Sequence, residues 1–441
     1  MKKAILLLLL FPCFASAQKS HPVLLDKYMT AQENINGFSG TVLVAQKGKV
    51  IYEKAFGLAD KELNVKNKLQ SVYQIASLTK QFTACAILLL AEDGKLSLND
   101  KLDKFFPDFP KGDSITIHML LSHTSGLKTT GELDGFVEAL KIREDSMLAL
   151  IKRQPFDFSP GTNFHYSNLG YFLLGMIIEK VTAQSYSDYM LHHIFLKAGL
   201  NNTFVSNWDT ILVNRTRGYE KTASGWRNNS HYSMEGPFSA GAIVSTVEDL
   251  NKWNTALLSN KIISAASIKL MTTPNLNTYG YGLLIDTFMN HYQIWHNGQL
   301  RGFISYLGSF PQDSVTIVVL SNNESNSTNI ANVLAAIVFG KDIVPPYRHV
   351  ESKIDTAIMA KYVGQYELSA NDKIEIIKTG DKLYRQKAGS HIELKPESTT
   401  KFFYGDGSDR QIEFEVNKSG KIETVFFISG GFKNAMKRVF Q

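Results

Sequence analysis

The residues with the clearest chemical potential are a serine and a lysine three positions apart, Ser77 and Lys80. On a helix this spacing places the amine one turn beyond the hydroxyl, on the same face. A serine hydroxyl is a poor nucleophile unless a neighbouring group accepts its proton. A lysine amine can accept that proton only when burial or positive neighbours lower its pKa. The pair therefore predicts nucleophilic catalysis, provided that the helix carrying it is buried.

The sequence that follows Ser77 predicts such a helix. It is apolar with helical spacing and ends near Gly94, a residue type that commonly terminates helices. The same Ser-x-x-Lys spacing occurs at Ser16/Lys19, within the N-terminal leader, and at Ser125/Lys128, where polar and glycine-containing sequence follows. Only Ser77 and its lysine are therefore expected to be held rigidly.

Two further motifs carry polar groups suited to proton transfer and substrate binding. Tyr166-Ser167-Asn168 lies just before a second apolar helical segment, and a phenol can relay a proton if a cation lowers its pKa. His296-Asn297-Gly298 follows Trp295 in strand-like sequence. A glycine at a strand edge permits close approach of a substrate backbone. The imidazole can donate a hydrogen bond or, when protonated, supply positive charge.

The elements that must position these motifs favour an α+β fold. Strand-like runs occur near the start of the chain and again around and after His296, with mainly helical sequence between them. The predicted strands are residues 39–45, 49–52, 292–295, 303–307 and 315–320, and the predicted helices are 77–94, 169–181 and 330–339. This order predicts one antiparallel sheet built from both ends of a domain, flanked by helices, with a mainly helical subdomain.

A domain boundary is predicted at Val344-Pro345-Pro346-Tyr347. Strand-like runs at 373–377, 411–416 and 422–427 follow it. They indicate a small all-β, barrel-like C-terminal domain over residues 350–441, preceded by a main domain over 18–344.

The order Ser-x-x-Lys, Tyr-x-Asn, His-x-Gly, beginning at Ser77, Tyr166 and His296, resembles the serine β-lactamase and penicillin-binding-protein superfamily. It is most similar to the class C-like branch, which includes D-aminopeptidases, D-Ala-D-Ala carboxypeptidases and esterases. Residues 121–127 and 236–250 also resemble stretches of that branch. The resemblance covers roughly residues 25–340 and implies a β-lactamase/transpeptidase-like fold.

The resemblance implies a role for each matching residue. Ser77 matches the acylated nucleophile, Lys80 the buried cation or base, and Tyr166 the proton-relaying phenol. Asn168 matches the residue that orients lysine and substrate, and His296-Asn297-Gly298 matches the substrate-binding strand motif.

Further implied roles concern the backbone and a neighbouring loop. The N–H groups of Ser77 and Gln299, the residue after Gly298, would form the oxyanion hole. His123 and Ser125 are expected to shape a loop without taking part in the chemistry.

The function implied by the resemblance is that of a serine hydrolase acting through an acyl-enzyme on an amide or ester. D-amino-acid peptides, peptidoglycan-like fragments and small esters are the substrate classes. His296 stands where β-lactamases often carry a lysine that holds the β-lactam carboxylate, so physiological β-lactam hydrolysis is not expected. A β-lactamase and a non-catalytic penicillin- or peptidoglycan-binding protein are the alternatives.

The C-terminal domain resembles barrel appendages of some relatives. Two roles are open for it: it restricts access to the active site, or it is a stabilising or partner-binding domain.

Composition and charge restrict the other function classes. The 441 residues carry a formal net charge of +6 and no long basic run, so nucleic-acid binding is not predicted. The neighbouring His192 and His193 cannot face one ion from a regular helix. We expect no metal, no other cofactor, and a small molecule or peptide as substrate.

The first 17 residues read as a cleavable signal peptide. Lys2 and Lys3 precede an apolar run over 4–11 and a small-residue cleavage site, Ala15-Ser16-Ala17. This predicts a periplasmic or secreted protein without a transmembrane segment in the mature chain. A lipid anchor at Cys13 is not expected, because bulky residues precede it. Cleavage leaves Cys85 alone, which excludes an internal disulfide.

Overall fold

A computed structural model describes residues 21–135, 140–207, 209–230, 232–369, 372–387 and 389–439. The predicted signal peptide and Cys13 lie outside these residues. The chain is organised by a six-stranded antiparallel sheet and, nearer the C-terminus, by a closed eight-stranded barrel. The α+β class with a C-terminal all-β domain, predicted from the order of elements, is confirmed.

The sheet combines two strands from the start of the chain with four later ones, as predicted. Its strands are β1 Gly40–Gln46, β2 Lys49–Phe56, β3 Leu284–Phe288, β4 His291–Leu300, β5 Phe303–Phe310 and β6 Val315–Ser321. Their order is β3-β4-β5-β6-β1-β2. The long-range antiparallel pairing of β1 with β6 joins Gly40 to Ser321 and Gln46 to Val315. It brings the two ends of this part of the chain together.

Alternation of side chains along the sheet produces two hydrophobic cores. Along β1, Val42 and Val44 pack in one core while Leu43 and Ala45 pack in the other, as expected for a strand covered on both faces. The helices are α1 His21–Ala31, α2 Thr79–Glu92, α3 Ile117–Leu121, α4 Glu144–Arg153, α5 Asn168–Thr182, α6 Tyr186–Met190, α7 Leu196–Ala198, α8 Phe238–Gly241, α9 Val247–Leu258, α10 Ala265–Met271 and α11 Ser327–Val338. Helices α1 and α11 cover the first face, whereas α2, α5 and α9 belong to the core on the second.

The predicted helices correspond to α2, α5 and α11. None of the helices formed by the described residues has both the length and the apolar character needed to cross a bilayer. Three small sheets lie outside the main sheet. One pairs residues 58–60 with 65–66, and another pairs 219–222 with 225–228. In the third, residues 243–245 form the middle strand between 73–74 and 204–205.

The barrel is an antiparallel meander in which each strand pairs with the next and the last closes on the first. Its strands are β7 Gly364–Ser369, β8 Asp372–Thr379, β9 Lys382–Lys387, β10 Ser390–Pro396, β11 Lys401–Tyr404, β12 Gln411–Val416, β13 Ile422–Ser429 and β14 Phe432–Val439. Three of them, β8, β12 and β13, were predicted. The other five were not among the predicted strands.

The barrel contacts the sheet-containing part through one of its turns. The Val344 amide donates to the Gly431 carbonyl at 2.8 Å, and Asn329 of α11 donates to the Gly430 carbonyl at 3.3 Å. The predicted boundary at 344–347 lies in a segment without regular structure.

Candidate active site

Ser77 lies in a tight turn that leads from the sheet side of the molecule into α2. The turn is a 3-10 helix, Ala76–Leu78, and the α-helix begins at Thr79. Ala76 has a φ of 50°, a left-handed conformation that costs energy for a residue with a side chain. Helix α2 is buried through most of its length, whereas Ser77 itself is partly exposed. The fold therefore fixes this hydroxyl at a solvent-accessible point of a rigid helix.

The Lys80 side chain is fully buried beneath Ser77. Its Nζ lies 3.1 Å from Ser77 Oγ, 2.7 Å from Asn168 Oδ1 and 2.9 Å from the Ala240 carbonyl oxygen. Burial lowers the pKa of Lys80 well below its usual value of 10.5. A neutral amine can donate to Asn168 and Ala240 and use its lone pair to accept the Ser77 proton. The surroundings of Lys80 are thus those of a general base.

Tyr166 contacts the same hydroxyl from another direction. Its phenol hydrogen-bonds Ser77, and Lys80 Nζ lies 4.8 Å from the centroid of its ring. Burial raises the pKa of Tyr166 above its usual value, although the hydrogen bond to Ser77 opposes this. The phenol therefore keeps its proton and can donate it.

Asn168 and the backbone beside it are held by a loop that also contains His123. Asn168 begins α5, and its Nδ2 donates to Thr129 Oγ1 at 3.1 Å. The Ser167 amide donates to His123 Nδ1 at 3.0 Å, and Ser167 Oγ donates to the Lys128 carbonyl at 2.6 Å. Burial, with smaller effects of nearby cations, lowers the pKa of His123 well below its usual value. His123 is therefore a neutral acceptor that fixes the Tyr166-Ser167-Asn168 segment.

His296 is buried in the middle of β4, which continues to Leu300 rather than ending at the motif. Its Nδ1 lies beside the Asn297 carbonyl, so Nδ1 carries the proton and Nε2 accepts from the Tyr279 hydroxyl at 3.1 Å. Burial is the main cause that lowers the pKa of His296, to about 3. The imidazole is consequently neutral at physiological pH and does not replace the positive charge of a lysine.

Gly298 allows β4 to lie directly against the Ser77 turn. A Cβ at this position would lie 2.3 Å from the Ile75 carbonyl oxygen and 2.4 Å from Ser305 Oγ. Ser305 Oγ in turn donates to that Ile75 carbonyl at 2.7 Å. Glycine is therefore required for contact between β4 and the turn that positions Ser77.

Gly298→Ala is expected to lower kcat/KM by about 100-fold, because moving β4 or the Ser77 turn by an ångström misaligns the reacting groups. Kinetics on a p-nitrophenyl ester would measure the change. Gly131→Ala is the control, because its methyl group would meet open space, and it should leave the rate within twofold. Full activity of Gly298→Ala would show that this close contact does not position the nucleophile.

The Ser77 hydroxyl opens into a cleft of about 290 Å³. Asn168 and Gln299 line it beside the nucleophile, and Arg301 and Glu324 bring charged side chains to its wall. Among the residues that the structure describes, those lining this cleft lie between positions 76 and 324, and none of them belongs to the barrel.

The structure brings every predicted site residue to one region. Ser77, Lys80, Tyr166 and Asn168 form a contiguous hydrogen-bonded group. Gly298 contacts the turn that carries the nucleophile, Gln299 shares the cleft with it, and His296 lies on the same strand, with its ring centroid 6.2 Å from that of Tyr166.

Sequence reasoning missed three contributors to the site. The Ala240 carbonyl is an acceptor for Lys80, the Tyr279 hydroxyl is the partner of His296, and Ser305 braces the Ser77 turn. Ala240 lies in the 236–250 stretch that was noted without a role. Tyr279 and Ser305 lie in no recognised motif, so only the fold identifies them.

Comparisons with known proteins agree with this geometry. A family model described as beta-lactamase matches residues 25–338, and one described as a domain of unknown function (DUF3471) matches residues 348–436. The chain is 30% identical over 430 residues to penicillin-binding protein 4* of Bacillus subtilis, covering 91% of this chain and 95% of that protein.

Two solved structures are similar in fold. An octameric penicillin-binding protein homologue from Pyrococcus abyssi is 26% identical with a TM-score of 0.66, covering 94% of this chain and 99% of that chain. A D-amino acid amidase from Ochrobactrum anthropi is 26% identical with a TM-score of 0.63, covering 73% and 96%. The family match spans most of this chain and the Bacillus relative nearly all of it. The chain therefore belongs to the β-lactamase-related family of serine hydrolases and penicillin-binding protein homologues.

Proposed function

We propose that this protein is an exported serine hydrolase that cleaves an amide or ester through an acyl-enzyme on Ser77. The observation that carries the proposal is the buried Lys80 amine, with its pKa lowered by burial, 3.1 Å from a partly exposed hydroxyl. A purely structural lysine would be expected to pair with a carboxylate, since buried charges are otherwise costly. Here its partners are a serine, an amide and a backbone carbonyl.

In the acylation step, Ser77 Oγ attacks the substrate carbonyl carbon while its proton passes to Lys80 Nζ. The carbonyl electron pair moves to oxygen, and the backbone N–H groups of Ser77 and Gln299 stabilise this oxyanion. Removing one such donor typically costs about 100- to 1,000-fold in rate. The position of Ser77 at the start of α2 adds the positive end of the helix dipole to the same charge.

Collapse of the intermediate breaks the bond to the leaving group. Tyr166 donates its phenolic proton to the departing nitrogen or oxygen and regains one from the Lys80 ammonium. Water then attacks the acyl group on Ser77, with Lys80 again accepting a proton. As the second tetrahedral intermediate collapses, the bond to Ser77 Oγ breaks, Oγ takes that proton back from the Lys80 ammonium, and the acid product leaves. The enzyme returns to its starting protonation state, as a hydrolytic cycle requires.

The neutral state of His296 bears on the substrate class. A β-lactam or a peptide ending in a carboxylate beside the scissile bond gains from a nearby cation, which His296 does not supply at neutral pH. We propose amides and esters of D-amino acids as substrates, including peptidoglycan-like peptides that have no free carboxylate beside the scissile bond. A solved relative described as a D-amino acid amidase supports this choice.

His296→Lys is expected to raise the rate of Ser77 acylation by nitrocefin by about tenfold, because an ammonium beside the site attracts the β-lactam carboxylate. Stopped-flow absorbance would measure it. His296→Gln, which keeps hydrogen-bonding capacity without charge, is the matched control and should show no such gain. A loss of all activity in His296→Gln, as large as that caused by removing Ser77, would show that the imidazole itself takes part in catalysis.

The test of the proposed function is labelling followed by a substrate panel. Purified protein is treated with a fluorophosphonate, and the modified residue is located by mass spectrometry. D-amino-acid anilides, D-Ala-D-Ala peptides, p-nitrophenyl esters and nitrocefin are then compared by kcat/KM. Labelling of Ser77 with turnover of a D-amino-acid amide or ester is the expected result. An unlabelled Ser77 would favour the non-catalytic binding protein instead.

Export and domain organisation complete the proposal. The basic, apolar and small-residue regions of the first 17 residues support cleavage after Ala17 and release outside the cytoplasm. Relatives named penicillin-binding proteins are consistent with this location. The intact mass of protein recovered from the periplasm or medium would reveal the cleavage point, and a retained leader would contradict it. We propose a catalytic domain over 18–344 and a barrel domain over 350–441.

A further inference from the structure

A cavity of about 200 Å³ opens inside one end of the C-terminal barrel. Leu368, Ile374, Phe427 and Met436 supply apolar walls. They occupy inward-facing positions on their strands, in the same alternation as buried Tyr366, Ile376 and Val425. The cavity is therefore part of the barrel interior and not a groove on its surface.

Cationic side chains stand in the same cavity. Lys387 and Arg410 line it but are already paired, with Asp372 and Asp406 respectively. Arg385 also lines it, and within the part of the chain that the structure describes its Nε is buried without a hydrogen-bond partner and no carboxylate pairs with its guanidinium. The cavity thus carries one uncompensated positive charge.

A buried, unsatisfied guanidinium donor costs folding free energy. A surface arginine avoids this cost by remaining in water, whereas Arg385 is directed into a partly enclosed barrel end. An anion in the cavity would remove the cost, because a guanidinium recognises a carboxylate through paired N–H donors.

We propose that this end of the barrel binds a small organic monocarboxylate, with its head on Arg385 and a short apolar tail against Leu368, Ile374, Phe427 and Met436. The site is separate from the Ser77 cleft, whose lining includes no described residue of the barrel. The proposal therefore stands or falls independently of the hydrolase activity.

Charge and volume define the ligand. A single uncompensated cation matches a monoanion, whereas a dianionic phosphate would leave excess negative charge in the cavity. Drug-sized sites usually span about 300–1,000 Å³, so this smaller space suits a short acyl chain or one aromatic ring. Tyr366, Leu383, Leu394 and Phe402 fill the barrel beyond it, which excludes a long fatty chain.

The test is isothermal titration of the full-length protein with hexanoate, compared with hexanol and inorganic phosphate. Hexanoate is expected to bind, and the other two at least tenfold more weakly. Arg385→Gln is expected to weaken hexanoate binding at least about tenfold, the usual effect of losing a charge-assisted hydrogen bond. Lys373→Gln is the matched control, since it removes one charge from an exposed position of the same barrel, and it should bind normally. Equal binding by Arg385→Gln and the parent protein would overturn the proposal.

Two further measurements test whether hexanoate binds inside the barrel cavity. Ile374→Trp leaves the charge unchanged but fills the cavity, so it should also abolish hexanoate binding. This test remains informative even if Arg385→Gln fails to fold. Protein whose Ser77 has reacted with a fluorophosphonate should bind hexanoate as before. Binding lost on Ser77 modification, or retained in Ile374→Trp, would place the ligand outside the barrel and refute the assignment.

Discussion

Ser77→Ala is expected to lower kcat by about a million-fold, the scale on which removal of the nucleophile disables other serine hydrolases. The alanine leaves Lys80, Tyr166 and the cleft in place, so substrate still binds while no acyl-enzyme forms. Turnover of the best substrate from the panel would measure the loss. Intact-protein mass spectrometry should show that the variant no longer gains the acyl group.

The chain offers a matched control for this substitution. Ser125 has the same three-residue spacing to a lysine, Lys128, but lies in a bend and not in a helix, and its Oγ accepts from the Leu127 amide at 3.4 Å. Ser125→Ala should therefore retain activity within a few-fold. If Ser77→Ala keeps a hundredth or more of the parent rate, Ser77 is not the nucleophile and the mechanism fails.

The local signals that predicted the fold were the strongest ones in the chain. The strand β6 and the helices α2 and α5 could be located because each is a mainly apolar segment of at least seven residues. Helix α1 was missed because its apolar residues do not form one clear stripe along the helix. Only Leu25, Tyr28 and Met29 are buried there, against a face of the sheet that the sequence cannot display.

The candidate site was predictable where function depends on side-chain identity and spacing. Ser77 lies in the 3-10 turn that leads directly into α2, and Lys80 lies in the first turn of α2, so their three-residue spacing keeps them neighbours much as it would on one helix. The Ala240 carbonyl could not be predicted, since every residue has such a group and only the fold selects this one. The protonation state of His296 was equally hidden, because it depends on burial among Lys80, Tyr166 and Tyr279. The same imidazole on an exposed strand would titrate near its usual pKa.

These observations also explain why stability and activity oppose each other at Lys80. Folding removes the amine from water without offering it a carboxylate, and the same burial lowers its pKa, as the proposed role of base requires. The unfolded chain keeps the ordinary lysine pKa of about 10.4, while the folded pKa is lower. Between the two values the unfolded state binds more protons, so stability rises with pH. The cost of burying Lys80 is full below the folded pKa and disappears above the unfolded one.

Lys80→Met is accordingly expected to lower acylation of Ser77 by about 10⁴-fold, at the upper end for removal of a general base, while raising the thermal stability of the protein. Methionine fills nearly the same volume without a charge to desolvate. The gain in Tm should be largest at acidic pH and shrink toward pH 10, because the parent protein recovers stability as its unfolded state loses the Lys80 proton. Calorimetry from pH 5 to 10, together with the rate of fluorophosphonate labelling, would measure both effects.

Gln81→Met, a substitution at the adjacent buried position, controls for general changes in helix packing and should not abolish labelling. A Lys80→Met variant that is acylated normally, or that loses stability most at low pH, would mean that the amine is charged in the folded protein and is not the base.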